Sequence, residues 1–238
     1  MAPYRLQPES VRSLFDRIAP TYDLLNRLLS LRRDVYWRRM AVREFSGQQG
    51  HFLDIATGTG DVAIELIRQG IQGRKVVGLD FSEPMIRRAR EKLLKKGLLQ
   101  SVHLGLGDAL FLPFPNQLFS GLVIAFGLRN IPKKREALVE MVRVLKPGGK
   151  IVILEFTLPE RGWMKRLYLV YFTKILPRIG GWVSGDPEAY AYLPESVLRF
   201  QSAEEYRALL KESGLAEVSI RSLTGGIVSI ISGIKNAR

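Results

Sequence analysis

Three aspartates, Asp54, Asp80 and Asp108, close three strand-like runs, and the turn Gly58-Thr59-Gly60 lies just after the first of them. Glycines at such a turn remove the Cβ atoms that would hold a ligand away, so the backbone can bend sharply and approach a small molecule closely. A glycine turn alone serves a tight corner as well as a ligand. The acids add chemistry: Asp80, twenty residues beyond Gly60, ends the next strand, where a carboxylate can accept both hydroxyls of an adenosine ribose. Asp108, after the third strand, is placed to meet an adenine amino group. Together they point to a nucleoside-like ligand.

The glycine spacing leaves the choice of nucleotide open, because Gly58-x-Gly60 followed by Ala63 is a tolerable dinucleotide fingerprint. Charge separates the candidates. Asp54 at the strand end and Asp61 at the helix start would repel a pyrophosphate, whereas a ligand carrying an ammonium and a sulfonium would gain from both. S-adenosylmethionine is the expected cofactor. No Asp, Glu or His cluster has metal-ligand spacing, so no metal is expected, and His51 and His103 read as structural. The chain has no cysteine, which removes disulfides, thiolate ligands and a cysteine nucleophile and suits a reducing compartment.

These residues need a scaffold of alternating strands and helices. His51–Ile55, Lys75–Asp80, Val102–Leu106, Gly121–Phe126 and Lys150–Phe156 read as strands. Helices are predicted after Gly60, over Met85–Lys96 with Pro84 in the first turn, and over Arg135–Leu145, the last ended by Pro147-Gly148-Gly149. Interleaved in this way, the five strands imply a parallel sheet. A final helix, Ala203–Ser213, precedes two alternating runs, Glu217–Leu223 and Ile227–Ile234, joined by Thr224-Gly225-Gly226 as an antiparallel hairpin. The expected organisation is one elaborated domain. It comprises an Arg-rich helical extension over 1–46, a cofactor core over 47–156, a helical insert over 157–200 and the C-terminal helix and hairpin over 201–238.

With 36 Lys and Arg against 23 Asp and Glu, the net charge of +13 should attract phosphates or anionic lipids. An RNA-binding or RNA-modifying protein is the rival that this charge suggests. Carbon-5 pyrimidine methylation generally needs a cysteine, and no Asn-Pro-Pro-aromatic motif for amine methylation occurs, so nucleic acid is not the expected partner. Met1–Ser10 has no apolar signal core, and the longest apolar run, Leu167–Phe172, is far short of the roughly 20 residues of a spanning helix. A cytoplasmic protein is expected.

The run Leu53–Gly60 resembles the first motif of class I methyltransferases. Across nearly all its length the chain resembles the C-methyltransferases of menaquinone and ubiquinone biosynthesis. That likeness is carried by Phe15–Asp23 with Asn26, Phe126-Gly127-Leu128-Arg129-Asn130, Arg143–Gly149 and Leu223-Thr224-Gly225-Gly226-Ile227. It departs from the family at Thr57, commonly Gly, and at Ala125, frequently Ser. The resemblance implies a Rossmann-like α/β fold with a mostly parallel seven-stranded sheet and an antiparallel C-terminal hairpin strand. It places cofactor contacts on Thr59, Asp80 with Phe81, Asp108 and Ala109, with the Asp54–Gly60 loop, including Thr57 and Gly58, around the methionine part.

The activity it implies is methyl transfer to a ring carbon of a reduced polyprenylated quinol, demethylmenaquinol ahead of a benzoquinol. Ionising the neighbouring hydroxyl would make that carbon nucleophilic, and Arg129 is the leading candidate to hold the phenolate, with Asn130 fixing orientation. Arg129 bonding loop carbonyls is the structural alternative. Tyr22 and Asp23 could close over the cofactor, with Asp16 as a helper, although helix capping explains both acids equally well. Tyr190 and Tyr192 are candidates to line the quinol pocket, or to pack in the core. Arg161–Val183 is apolar and basic without an acid. It reads either as a helix lying on anionic membrane at the inner face or as one packed on the domain or across a homodimer.

Overall fold

A computed structural model of the chain describes residues 8–70, 75–159, 162–184 and 202–236. The first helices are α1 (Pro8–Ile18), α2 (Tyr22–Leu29) and α3 (Arg33–Arg43). The core follows as β1 (Phe52–Ile55), α4 (Asp61–Arg68), β2 (Val76–Asp80), α5 (Glu83–Lys95), β3 (Val102–Leu106), β4 (Phe119–Ala125), α6 (Lys134–Val144) and β5 (Leu145–Phe156). The insert holds α7 (Gly162–Val170), a π-helical turn over Tyr171–Ile175 and α8 (Leu176–Ser184). The described chain ends with α9 (Ala203–Glu212), β6 (Leu215–Leu223) and β7 (Val228–Lys235).

The seven strands form one sheet in the order β3-β2-β1-β4-β5-β7-β6. The first five pair in parallel, and β7 runs antiparallel to both β5 and β6. This is the expected class I methyltransferase architecture. Buried side chains alternate along the central strands: Phe52, Val123 and Val152 join Trp37, Ala41 and Leu66 on one face. Leu53, Ile124 and Ile153 join Leu138, Met141 and Leu210 on the other. Helices on both faces explain why these strands read as near-continuous apolar runs.

Chain order reverses between β1 and β4, so their C-terminal ends diverge into the crevice where open α/β sheets bind ligands. Two details differ from the sequence expectation. Pro147-Gly148-Gly149 lies inside β5 as an irregularity instead of beyond α6: β4 pairs Phe119 with Leu145 and then Gly121 with Lys150, and Gly148 takes φ +73° to absorb the extra residues. Ile227 belongs to the turn before β7, not to the strand.

A third cluster joins the extension to the insert, with Leu14, Ile18 and Leu25 packed with Tyr168, Phe172 and Leu176. Tyr171 Oη donates to the Leu29 carbonyl at 2.6 Å across this contact. One stripe of the insert thus packs on the domain, while Trp163, Leu167, Val170, Ile175 and Ile179 remain exposed.

Gly121 marks the tightest point of the central pair, because an added Cβ would sit 2.4 Å from Phe52 Cε1 and 2.9 Å from Phe45 Cε1. Gly121→Ala is expected to overpack this site at a cost of about 1–3 kcal/mol, seen as a lowered urea midpoint with unchanged slope.

Candidate active site

At the end of β1, Asp54 is buried and its Oδ2 accepts from Thr57 Oγ1 at 2.6 Å and Ala63 N at 3.1 Å. Its Oδ1 is buried with no hydrogen-bond partner among the described residues. The loop beyond turns through Ala56, Gly58 and Gly60, with φ of +53°, +55° and +82°. Thr57 fits in place of the common glycine because Gly78 stands opposite: a Cβ there would meet Thr57 Oγ1 at 3.0 Å. Asp80, at the end of β2, accepts from Gly58 N at 2.8 Å and Ser82 N at 2.9 Å, tying the two strand-end loops together. Gly107 N donates to the Asp80 carbonyl at 3.0 Å, and Asp108 accepts from Leu110 N at 2.9 Å. Ala109 is half-buried beside it. The three predicted acids therefore stand at or just beyond the C-terminal ends of three adjacent parallel strands.

The N-terminal helices close over these loops. Tyr22 Cε1 lies 3.8 Å from where a Gly58 Cβ would be. Phe15 meets Phe81 edge to face, with ring centroids 6.3 Å apart. Asp16 accepts from Ser82 Oγ at 2.5 Å, and Asp23 accepts from Thr59 Oγ1 at 2.5 Å and pairs with Lys92. Capping is thus not their role: the N-cap of α2 is Thr21, and Asp16 and Asp23 reach other elements.

The repulsion expected from Asp61 is also corrected. Arg27 lies 2.6 Å, Lys92 2.9 Å and Arg38 3.7 Å from its carboxylate. Burial pushes this carboxyl up, but Arg38, Lys92 and Arg27 outweigh it and hold the group well below the usual range. Asp61 is a neutralised structural anion, so it does not discriminate between cofactors.

Beside the loop lies a mostly apolar cavity of about 650 Å³ between α1–α3, the insert and the ends of β4 and β5. Trp37, Phe126, Phe156 and Phe172 form aromatic walls, and Arg129 lines the same space. Arg129 is buried in a short 3₁₀ turn over Leu128–Asn130. Its guanidinium donates to Glu155 Oε1 at 2.7 Å and to the Phe126 carbonyl at 2.5 Å, and stands 5.5 Å from the Phe156 ring centroid. Asn130, buried next to it, donates through its backbone N to the Gly127 carbonyl at 3.0 Å. Loop bonding and cavity lining are both true of Arg129. Tyr190 and Tyr192 lie outside the described residues.

Sequence reasoning missed Glu155, fully buried at the end of β5, together with the Asp34, Arg38 and Lys92 contacts. A buried acid inside an apolar strand, Ile151–Phe156, was the available signal for Glu155.

The model of the ubiE/COQ5 methyltransferase family matches residues 4–235. The chain belongs to this family. It is 44% identical over 238 residues, 99% of this chain and 93% of the relative, to the ubiquinone/menaquinone biosynthesis C-methyltransferase UbiE of Geobacter sulfurreducens. It is 45% identical over 221 residues, 92% of this chain and 99% of the relative, to the demethylmenaquinone methyltransferase of Thermus thermophilus. In fold it is similar to a SAM-dependent methyltransferase of Thermotoga maritima, with a TM-score of 0.67 at 21% identity over 94% of this chain and 99% of that one.

The methyltransferase's loop fits S-adenosylmethionine. The unpartnered Asp54 Oδ1 suits an ammonium, Gly58 and Gly60 open the backbone, and Asp80 and Asp108 offer carboxylates where ribose and adenine are expected. Burial pushes Asp54 up to about 7 against its bonds from Thr57 and Ala63, and pushes Asp80 up to about 6 against bonds from Ser82, Gly58 and Phe81.

Both acids start from 3.8 in the unfolded chain, so the stability tied to their protonation is complete below that pH and lost as pH rises through 6 and 7. An ammonium beside Asp54 reverses the preference by favouring the carboxylate. Cofactor affinity should therefore rise between pH 6 and 8, with proton release visible as buffer-dependent binding heat in calorimetry. Asp54→Asn should flatten this rise and weaken binding about tenfold or more.

Proposed function

We propose that this chain methylates a ring carbon of reduced, polyprenylated demethylmenaquinol, with S-adenosylmethionine as the methyl donor. The observation that carries the reading is a large apolar cavity lined by two buried arginines, Arg38, which is committed to Asp34, and Arg129, and lying beside the acidic strand-end loop. The family, and the activities for which its relatives are named, support the same choice. A hydrophobic ring and the start of its prenyl tail suit aromatic walls of this kind.

The bound cofactor supplies an electrophilic methyl group on a sulfonium. Asp54, Gly58, Thr59, Asp80 and Asp108 hold it, and Tyr22 and Asp23 cover the loop. Arg129 faces the cavity and lowers the pKa of the quinol hydroxyl by favouring its anion, which loads negative charge onto the ortho carbon. Glu155 fixes the guanidinium from behind at 2.7 Å, and Phe156 supports its plane. Apolar walls exclude water from the nucleophilic carbon. Asn130 orients the same turn.

We further propose that the tail leaves through a mouth resting on anionic membrane at the cytoplasmic face. Exposed Trp163, Leu167, Val170 and Ile175 line the cavity, and exposed Lys165, Arg166, Lys174 and Arg178 flank them. No helix among the described residues is long and apolar enough to cross a membrane.

Labelled S-adenosylmethionine offered with short-chain demethylmenaquinol, the matching benzoquinol and bulk RNA tests the activity. Label is expected in the naphthoquinol, and Arg129→Lys should retain cofactor binding but transfer about 100-fold more slowly, since an ammonium cannot reproduce the planar fork. Label confined to RNA would overturn the reading. For the surface, flotation with vesicles is expected to require anionic lipid, and Lys165→Glu with Lys174→Glu should abolish it. Indifference to lipid charge, with a dimer seen by light scattering, would assign the apolar stripe to a second copy instead.

A further inference from the structure

Among the polar groups of the cavity, one hydroxyl stands apart. Tyr168 lines the cavity from α7, is 6% exposed, and its Oη is buried with no hydrogen-bond partner among the described residues. Several other polar side chains there are engaged: Asp34 by Arg27, Arg38 and Ser30, Arg129 by Glu155, and Tyr171 by the Leu29 carbonyl. An unsatisfied buried hydroxyl is destabilising, so a phenylalanine would be the more stable choice if packing were the whole role.

The Tyr168 ring is held against Phe172, with centroids 4.6 Å apart, and Phe172 packs on Phe156 at 5.7 Å, the ring beneath the Arg129 guanidinium. This chain of rings fixes the hydroxyl without using its hydrogen-bonding capacity. We propose that Tyr168 Oη donates a hydrogen bond to an oxygen of the quinol ring, setting the ring's angle relative to Arg129. This rests on the quinol reading above.

Burial raises the phenol above its ordinary range, with the Arg129 charge only partly offsetting it, so the group remains protonated and acts as a donor. Two polar anchors then define the ring. Arg129 meets the oxygen that ionises, and Tyr168 meets an oxygen that does not.

Tyr168→Phe removes only the hydroxyl and tests the assignment without disturbing the fold. The variant should melt at the same or a higher temperature, because an unpaired polar atom has gone. Its KM for short-chain demethylmenaquinol should rise about 10- to 100-fold, and its affinity for S-adenosylmethionine by calorimetry should remain unchanged. A methylation product scattered over more than one ring position would be a further expected sign of lost orientation. If wild type methylates the quinol and Tyr168→Phe keeps the same KM and product, the hydroxyl assignment is overturned while the activity stands. A clear fall in melting temperature with unchanged KM would mark the hydroxyl as structural and overturn it equally. If wild type neither binds nor methylates the quinol, both readings fall together.

Discussion

The Asp61 carboxylate is the point on which the molecule's parts converge. It opens α4 directly after the glycine loop, and cations from α2, α3 and α5 reach it: Arg27, Arg38 and Lys92. Arg27 and Arg38 also share Asp34, and Lys92 is shared with Asp23 and Thr59. Removing one member of this partly buried network leaves charge with less compensation, which costs more than the pairs contribute net. The value of the network is therefore geometric. It sets the N-terminal helices against the cofactor loop, and those helices are a wall of the apolar cavity.

That wall separates two environments only one residue thick. Tyr22 lies over Gly58 and also lines the cavity. Across the crevice, Ala56 and Phe126 both hold left-handed backbone, at φ +53° and +57°, at the ends of β1 and β4. Non-glycine residues in that region carry strain of about 1–2 kcal/mol each. Phe126 is held there from both sides, its N donating to Leu154 O at 2.7 Å and its carbonyl accepting from Arg129 at 2.5 Å. Gly127 allows the two loops to touch, since its Cβ would lie 2.6 Å from that of Ala56. The Phe126–Asn130 block thus builds a corner as well as presenting a cation.

What the sequence made legible was everything governed by local periodicity. Alternating apolar residues and glycine turns located the strands of the parallel core, and Asp54, Asp80 and Asp108 came together at one end of the sheet, as their spacing predicts. Long-range pairings were not legible, because nothing near Asp61 in sequence announces Arg27 or Lys92, 34 and 31 residues away. The same blindness made Asp61 look repulsive, left Asp16 and Asp23 open between capping a helix and closing over the cofactor, and made Tyr168 look like one more aromatic in an apolar helix. Family motifs supplied Arg129 but not Glu155, whose meaning depends on a contact across 26 residues.

The charges that remain suit a reaction that consumes charge. Transfer of a methyl group from a sulfonium cation to a phenolate anion ends in two neutral products, so strong stabilisation of either separate ion would deepen the reactant state and raise the barrier. The structure avoids both extremes. On the donor side, burial by itself holds Asp54 and Asp80 near 7 and 6, and in the proposed complex it is the ammonium, not the sulfonium, that would draw Asp54 to its anion. On the acceptor side, where Arg129 is proposed to meet the phenolate, Glu155 balances its charge, and the fully buried Glu155 keeps the pair nearly neutral at longer range. Directed hydrogen bonds at short range can then promote ionisation and fix orientation, while the weak surrounding field lets the charge disappear as the carbon–methyl bond forms.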